Sequence, residues 1–410
     1  MIISEKRGRS INRTSVKLAL DIIKQYKEEG IEPCKVLREE VAYEIQKDMI
    51  QAGLVTPLSA ITVVSKNEVA NDDELNQIIL KFISLNEIFQ YRYVDENQEI
   101  LLRVVETKKY RTILKLFEAD EQCVQSIVQT TNQILKKELS KNFWNSELFF
   151  VYIIETNSKY LINFVVSHII SDAGIGTALN RGVRNIITNN TDNIPQYKDY
   201  VCRIRQTPKE NSYSLLLKEF IALNKKNNRV LDMLSKERKA VKIPTNVPLK
   251  NWDSILLESA FVIGDKILNH MEIENLVMKV SYNFRNAFDE QYQCLIGDCH
   301  SYFFVMMKAD DTLESFSERN LTYLDLIRKE KIECGYFCAK EELVYKEIYD
   351  STRVNINLVT ENYLNEDEVM QYLDVSLALN QKVLSSSTNR IDMVLYKKNY
   401  YMYISQNLCD

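Results

Sequence analysis

Histidine is the side chain whose ordinary pKa suits proton transfer near neutral pH, and this chain has only three: His168, His270 and His300. His270 lies at the end of a predicted helix over residues 256–270, where a histidine complements the helix dipole. His300 opens a predicted strand, which favours a structural role. His168 is therefore the candidate for a catalytic base.

His168 stands between a predicted buried strand over residues 160–166 and a predicted helix over 175–187, where a turn can present a side chain to a crevice. Asp172 lies four residues later, near the start of that helix, a position that also suits an N-cap. A neutral imidazole at such a turn could accept a proton from an attacking amine. Backbone N–H groups at the start of the helix could stabilise a tetrahedral oxyanion. The H-x-x-x-D spacing alone does not separate catalysis from capping.

Composition excludes several classes of protein. The 410 residues are 45% hydrophobic and 27% charged, which is typical of folded proteins and leaves room for two sizeable lobes. With 23 tyrosines and 15 phenylalanines, the chain carries too much apolar surface for a disordered protein. Its 9 glycines form no phosphate-binding P-loop, and a net charge of −5 argues against binding nucleic acid.

No segment indicates export or membrane insertion. The N-terminus has no apolar run of signal-peptide length, and the longest apolar run, around residues 160–170, is shorter than the roughly 20 residues that a bilayer requires. The 8 cysteines have irregular spacings, which indicates reduced cysteines in a cytoplasmic protein rather than a metal site. We expect a cytoplasmic monomer that binds no metal.

The first 54 residues predict two helices. The first helix begins near Thr14 or Ser15 and ends at Gly30. Its inward face contains Val16, Ala19, Leu20, Ile23 and Tyr26. The second helix begins at Pro33. Its inward face contains Val36, Leu37, Val41 and Ile45.

Helices and strands alternate in the rest of the chain, which predicts a mixed α/β protein with two lobes. Residues 55–195 contain a predicted helix capped by Asn71, a helix over 120–139 and a hairpin over 148–166. Residues 188–250 are the least regular part, so we expect the lobes to connect there. The second half repeats the mixture of helices and strands.

The surroundings of His168 resemble the HHxxxDG active-site motif of nonribosomal peptide synthetase condensation domains, within the chloramphenicol-acetyltransferase-like superfamily. The matching residues are Val165-Val166-Ser167-His168-Ile169-Ile170-Ser171-Asp172-Ala173. Further similarities follow in the family's order between residues 55 and about 405. They are Pro57-Leu58-Ser59, residues 85–93, Tyr197-Lys198-Asp199-Tyr200-Val201, Asn283-Phe284-Arg285 and Leu295-Ile296-Gly297-Asp298.

The resemblance implies a fold and its boundaries. It implies two chloramphenicol-acetyltransferase-like lobes in a V, with mixed sheets flanked by helices and a tunnel between the lobes. Residues 55–195 would be the N-terminal lobe that carries HxxxD, and residues 196–410 the C-terminal lobe. Residues 1–54 have no counterpart in the family and would be a short helical extension, a docking segment or a lid.

The resemblance also implies an activity. Such proteins join an acyl thioester, carried on the phosphopantetheine of a carrier protein or on CoA, to an amine or hydroxyl acceptor, without a tightly bound cofactor. His168 would be the catalytic base or orienting group, and Asp172 would form a structural ion pair with Arg285. Candidate channel-lining residues are Ser167, Ser171, Ala173, Gly174 and Ser301.

Two departures from the motif leave a second interpretation open. The first motif histidine is Ser167, and the motif glycine is Ala173. A catalytically silent protein that binds a carrier protein or a partner enzyme is therefore the alternative. In either case we expect an acidic carrier protein to meet a locally basic face. Candidate clusters are Arg181 with Arg184, Lys108 with Lys109 and Arg111, and Lys136 with Lys137 and Lys141.

Overall fold

The computed structural model describes residues 2–29, 35–51, 53, 57–106, 121–141, 143–172, 174–191, 194–208, 210–234, 236–245, 252–359, 369–370, 373–374, 377 and 389–409. The chain divides into two units. The first contains Met1–Arg205 and Phe288–Cys299, and the second contains Gln206–Ala287 and His300–Asp410. The α/β class predicted from the alternation of elements is confirmed.

The first unit contains six helices and six strands among its described residues. The helices are α1 (Ile2–Glu29), α2 (Glu44–Gln51), α3 (Asp72–Leu85), α4 (Glu121–Lys141), α5 (Ile175–Ile187) and α6 (Tyr197–Arg205). The strands are β1 (Val36–Val41), β2 (Leu58–Ser65), β3 (Tyr91–Glu96), β4 (Glu99–Val105), β5 (Phe149–Glu155) and β6 (Lys159–Val166). They form two three-stranded antiparallel sheets, ordered β1-β4-β3 and β2-β6-β5.

The sheet β2-β6-β5 leads directly to the turn that contains His168. Its central strand β6 ends at Val166, which pairs with Leu58 on one side and with Phe149 on the other. The predicted hairpin of β5 and β6 is confirmed, and nearly every residue of both strands is buried. Helices α1 and α4 cover one face, where Tyr152 donates a hydrogen bond to Asn132 Oδ1 at 2.8 Å.

Helix α1 begins earlier than predicted, and its predicted inward face is confirmed only in part. It begins at Ile2, so Thr14 and Ser15 lie inside the helix and are not its N-cap. Ala19 and Ile23 pack in the core as predicted, together with Leu18 and Ile22, whereas Val16 and Leu20 are exposed. Tyr26, which was predicted to face inward, accepts a hydrogen bond from the backbone N–H of Val151 at 3.0 Å.

The second predicted helix of the N-terminal extension is wrong in its first half. Val36, Leu37 and Val41 belong to strand β1 and are exposed, and the helix that follows begins only at Glu44. Strand β1 pairs antiparallel with β4, with Val41 opposite Leu101. This long-range pairing overrides the helical spacing of three apolar residues. Gly30 and Pro33 lie outside the described residues.

The second unit contains a six-stranded mixed sheet with the order β7-β12-β11-β10-β8-β9. Its strands are β7 (Arg238–Pro244), β8 (Asn275–Asn283), β9 (His300–Lys308), β10 (Val354–Val359), β11 (Asn389–Tyr396) and β12 (Asn399–Ser405). Its described helices are α7 (Ser212–Leu231), α8 (Trp252–Met271), α9 (Leu313–Glu330), α10 (Cys334–Ala339) and α11 (Leu343–Ser351). Strand β10 is parallel to β8 and β11, and the other pairs are antiparallel.

Residues 188–250 are more regular than predicted, because they contain α6, α7 and β7. Helix α7 begins with a capping box, in which Asn211 Oδ1 accepts from Ser214 N and the Ser214 hydroxyl accepts from Asn211 N. Its apolar side is buried, and Lys225 lies on the exposed side. Lys225, Lys226 and Arg229 therefore lie on the exposed face of a helix, whereas Asn227 between them is buried.

Candidate active site

His168 opens a short 3₁₀ turn, His168–Ile170, directly after strand β6. The N–H of Ile170 donates to the carbonyl of Ser167 at 3.1 Å, and the N–H of Ser171 donates to the carbonyl of His168 at 3.1 Å. Ile169 and Ile170 are fully buried and anchor the turn. His168 itself is only partly buried.

One ring nitrogen of His168 is enclosed by the protein. Its Nδ1 is buried and has no hydrogen-bond partner among the described residues. Asp172 forms no hydrogen bond or ion pair with His168 in the described part of the chain, so the two residues are not a catalytic pair of the serine-protease kind. Because Nδ1 is buried, a proton from an incoming group would have to go to the other ring nitrogen.

Ser167 and Ser171 support the main chain of the turn. Ser171 is fully buried, and its hydroxyl donates to the carbonyl of Ser167 at 2.8 Å. The N–H of Ser167 donates to the carbonyl of Leu148 at 2.7 Å, which joins the turn to the chain before β5. The Ser167 hydroxyl is buried without a hydrogen-bond partner among the described residues. That these serines line a channel stays a prediction.

Asp172 is buried and accepts two backbone hydrogen bonds. Oδ1 accepts from the N–H of Gly174 at 2.8 Å, an Asx-type turn that leads into α5. Oδ2 accepts from the N–H of Cys299 at 2.7 Å. Gly174 is the N-cap of α5 with ordinary negative φ, so the backbone there does not require glycine. Ala173 lies outside the described residues.

Two further motifs of the resemblance meet in the first unit. The Tyr197 hydroxyl donates to the carbonyl of Asp298 at 3.0 Å. Gly297 lies so close to the Tyr197 ring that a Cβ at Gly297 would overlap it. Together with the bond from Cys299 to Asp172, these contacts hold the segment Phe288–Cys299 against the element that carries the H-x-x-x-D motif.

Arg285 and Ser301 lie in the second unit. Arg285 is 1% exposed, and both its N–H and its Nη1 donate to Asn283 Oδ1, at 3.1 and 3.3 Å. Ser301 is buried on β9 opposite Tyr282 of β8. The ion pair of Asp172 with Arg285 stays a prediction, as does a channel-lining role for Ser301.

The three basic clusters differ in their surroundings. Arg184 forms an ion pair with Glu68 and donates a hydrogen bond to the carbonyl of Val63 at 2.9 Å. Arg181 is exposed. Lys137 and Lys141 are exposed at the end of α4. Lys108, Lys109 and Arg111 lie outside the described residues.

Gln46 also contacts this turn, although nothing in the sequence marks it as a site residue. Gln46 on α2 is fully buried, and its Nε2 donates to the carbonyl of Ile169 at 3.2 Å, across 123 residues of chain. No local pattern indicates such a contact, because a glutamine in a helix is ordinarily exposed.

The second unit buries two titratable side chains, Lys279 and Glu333, that no sequence motif marks. Lys279 on β8 lies over the rings of Tyr349 and Tyr302, 3.3 and 5.3 Å from their centroids, and burial lowers its pKa to about 7. Burial raises the pKa of Glu333 to about 7, although the N–H groups of Gly335 and Tyr336 donate to its carboxylate. No group of described histidine, cysteine, aspartate and glutamate side chains could hold a metal ion.

Comparison with known proteins identifies the fold. No protein-family model and no curated protein sequence matches this chain. The tallysomycin biosynthesis protein TlmII is similar in structure, with a TM-score of 0.57 and 9% identity over 91% of this chain and 95% of that one. A mutant starter condensation domain of rhizomide synthetase, in complex with C8-CoA, has a TM-score of 0.57 and 8% identity over 90% of this chain and 89% of that one.

The epimerization domain from the third module of tyrocidine synthetase B has a TM-score of 0.53 and 11% identity over 91% of this chain and 92% of that one. These similarities extend along nearly the whole chain, so the predicted condensation-domain fold is confirmed.

Among the described helices, none combines the length and the apolar character that a membrane span requires.

Proposed function

We propose that this protein, which has the fold of condensation domains, is a stand-alone condensation-type acyltransferase. It joins an acyl thioester to an amine or hydroxyl acceptor and forms an amide or an ester, in the biosynthesis of nonribosomal peptides or related metabolites. The observation that carries the proposal is the placement of His168. Its partly buried imidazole follows a buried central strand on a turn held by backbone bonds, and its Nδ1 has no hydrogen-bond partner among the described residues.

The proposed chemistry needs one base and no covalent enzyme intermediate. The acceptor nitrogen or oxygen attacks the thioester carbonyl carbon, while the His168 imidazole accepts the acceptor's proton or orients the acceptor. The tetrahedral intermediate then collapses, the C–S bond breaks, and the leaving sulfur takes the acceptor's proton, from the His168 imidazolium where that group has accepted it, and departs as a thiol. General base assistance contributes typically about 10²–10⁴-fold, and positioning of the two substrates can contribute more.

A thioester is the proposed acyl donor because a structurally similar protein binds a CoA derivative. The similar starter condensation domain was determined in complex with C8-CoA. CoA and carrier proteins present the acyl group on the same phosphopantetheine arm. We therefore propose a phosphopantetheine thioester as donor, with an acyl carrier protein as the partner or CoA in its place.

A catalytically silent binding protein is the second candidate, and Ser167 is the observation that favours it. Ser167 replaces the first histidine of the motif, and its buried hydroxyl has no hydrogen-bond partner among the described residues. A silent protein would bind the acyl carrier without consuming its thioester.

The test is to incubate the protein with acyl-carrier and acyl-CoA thioesters and a panel of amines and alcohols, and to follow the products by mass spectrometry. We expect His168→Ala to remove the product while the melting temperature stays near that of the wild type. His270→Ala is the matched control, because His270 is exposed at the end of α8 in the second unit. An unchanged rate in His168→Ala overturns the catalytic role, and carrier binding without any product supports the silent protein.

A further inference from the structure

The segment that follows α1 contacts the turn of His168. Gln46, at the buried side of α2, is 0% exposed, and its Nε2 donates to the carbonyl of Ile169 at 3.2 Å. Ile169 is the residue directly after His168. A buried side-chain amide is thus bonded to the main chain one residue from the proposed base.

The carbonyl of Ile169 depends on this donor. Within the turn, the Ser167 carbonyl accepts from Ile170 N and from the Ser171 hydroxyl, and the His168 carbonyl accepts from Ser171 N. Gln46 is the donor that the described structure gives to Ile169. A buried carbonyl without a donor is costly, so the peptide group that follows Ile169 would have to rotate to find another one if Gln46 were replaced.

Helix α2 is itself held in place by contacts on both of its flanks within the first unit. Arg38 on β1 donates to both carboxylate oxygens of Glu87, at 2.8 and 3.2 Å. Glu44 accepts from Arg205 of α6 at 2.8 Å. The Tyr43 ring, just before α2, packs on Tyr197 with centroids 5.9 Å apart. The position of the Gln46 amide is therefore fixed by the fold around it.

We propose that Gln46 is a positioning residue for His168, and that residues 36–51 serve as a support for the H-x-x-x-D turn. The Gln46 amide fixes the Ile169 carbonyl, the carbonyl fixes the peptide plane of the 3₁₀ turn, and the turn fixes the direction of the imidazole. The inference rests on the proposed function only for its effect on activity. The effect on the geometry of His168 is independent of it.

The structure offers closely matched variants for the test. Gln46→Leu keeps the side-chain volume and removes the donor. Gln46→Glu is nearly isosteric and repels the carbonyl when ionised, but donates to it when protonated. Gln51→Leu is the control, because Gln51 lies at the exposed end of the same helix.

The first measurement is the imidazole NMR spectrum of the full chain, in which the three histidines give separate signals that His→Ala substitutions assign. We expect Gln46→Leu to shift the imidazole signals of His168 and to leave those of His270 and His300 unchanged. Gln51→Leu should change none of them. In Gln46→Glu, the His168 signals should return toward those of the wild type as the pH falls and the carboxyl becomes protonated.

The second measurement is steady-state kinetics with the substrates found for the wild type. A displacement of about 1 Å at a reacting group can cost about 100-fold in rate, so we expect Gln46→Leu to lower kcat by about 10–100-fold with little change in KM. Unchanged His168 signals in a folded Gln46→Leu variant overturn the inference. If Gln46→Leu does not fold, the Gln46→Glu variant provides the test. The inference is then overturned if the His168 signals of Gln46→Glu do not return toward those of the wild type at low pH. If the His168 signals shift in Gln46→Leu but the His168→Ala variant is fully active, the positioning role of Gln46 is supported and the proposed function is refuted.

Discussion

The carboxylate of Asp172 accepts a hydrogen bond from the backbone N–H of Cys299, 127 residues further along the chain, at 2.7 Å. Its other oxygen accepts from Gly174 N. Both donors are main-chain groups, so Asp172 connects the turn after β6, the start of α5 and the segment Phe288–Cys299. This is a structural role, and it explains why an aspartate can follow the proposed base by four residues without bonding to it.

Replacement of Asp172 by alanine should destabilise the protein by about 1–4 kcal/mol, because the buried N–H of Cys299 loses its acceptor at about 1–3 kcal/mol and the part-buried N–H of Gly174 loses its acceptor at a smaller cost. The measurement is the thermal melting temperature of Asp172→Ala beside Asp73→Ala. Asp73 is exposed in the first turn of α3, where a loss of a few tenths of a kcal/mol is expected. Equal stability of the two variants would contradict the assignment of Asp172 as a structural acceptor.

Gly297→Ala should destabilise the first unit by about 1–3 kcal/mol, because the new methyl group would overlap the Tyr197 ring and must displace it or the loop. Gly176→Ala is the matched control. Gly176 lies in α5, where an added Cβ meets only Ala60 at 3.8 Å, and alanine is the better helix former by up to about 1 kcal/mol. The two melting temperatures should therefore move in opposite directions. A neutral Gly297→Ala would contradict the close packing of the two motifs.

The elements nearest the site are the ones that the sequence predicts well. Helix α5 extends over the predicted range, and α3 is capped by Asn71 as expected, with Asn71 Oδ1 accepting from Glu74 N at 2.9 Å. Both helices have a strong amphipathic pattern, and α3 also has a side-chain N-cap, so the local sequence is enough to predict them. The position of the H-x-x-x-D turn is also predictable, because it lies between the end of a buried strand and the beginning of α5.

The predictions that are wrong or missing concern contacts between residues far apart in the sequence. Strand β1 was predicted as a helix because three of its apolar residues have helical spacing, but β4 supplies its hydrogen-bond partners about 60 residues later. Likewise, the bond from Gln46 to Ile169 and the bond from Cys299 to Asp172 join residues more than 100 positions apart. A single sequence carries no local signal for such contacts.

The ion pair that the resemblance implies for Asp172 and Arg285 predicts strong energetic coupling. Arg285→Ala should lower stability by about 3–5 kcal/mol, as expected for one partner of a buried pair, and the double variant should lose less than the two single variants together, by up to about 3 kcal/mol. Asp172→Ala combined with Arg353→Ala is the control. Arg353 is bonded to Asp232 at 2.9 Å in the second unit, so those two losses should add. Additivity in the Asp172 and Arg285 cycle would show that the implied pair is wrong.

Lys279 predicts a pH dependence of stability in the second unit. Burial lowers its pKa from 10.5 to about 7 in the folded chain, so between these values the unfolded chain binds more protons than the folded one. The contribution of Lys279 is therefore most unfavourable below pH 7 and becomes less so as the pH rises toward 10.5, by about 1.4 kcal/mol per pH unit.

The comparison that isolates this effect is the free energy of unfolding of wild type and Lys279→Met at several pH values between 6 and 9, since the other titrating groups cancel. We expect the variant to be more stable at pH 6, and its advantage to shrink steadily above pH 7. Lys308→Met is the control, because Lys308 is exposed at the end of β9, and its difference from wild type should not change over this range. A constant difference for Lys279→Met would mean that the ammonium stays charged over the Tyr349 ring, 3.3 Å from its centroid, because the cation–π attraction offsets the loss of hydration.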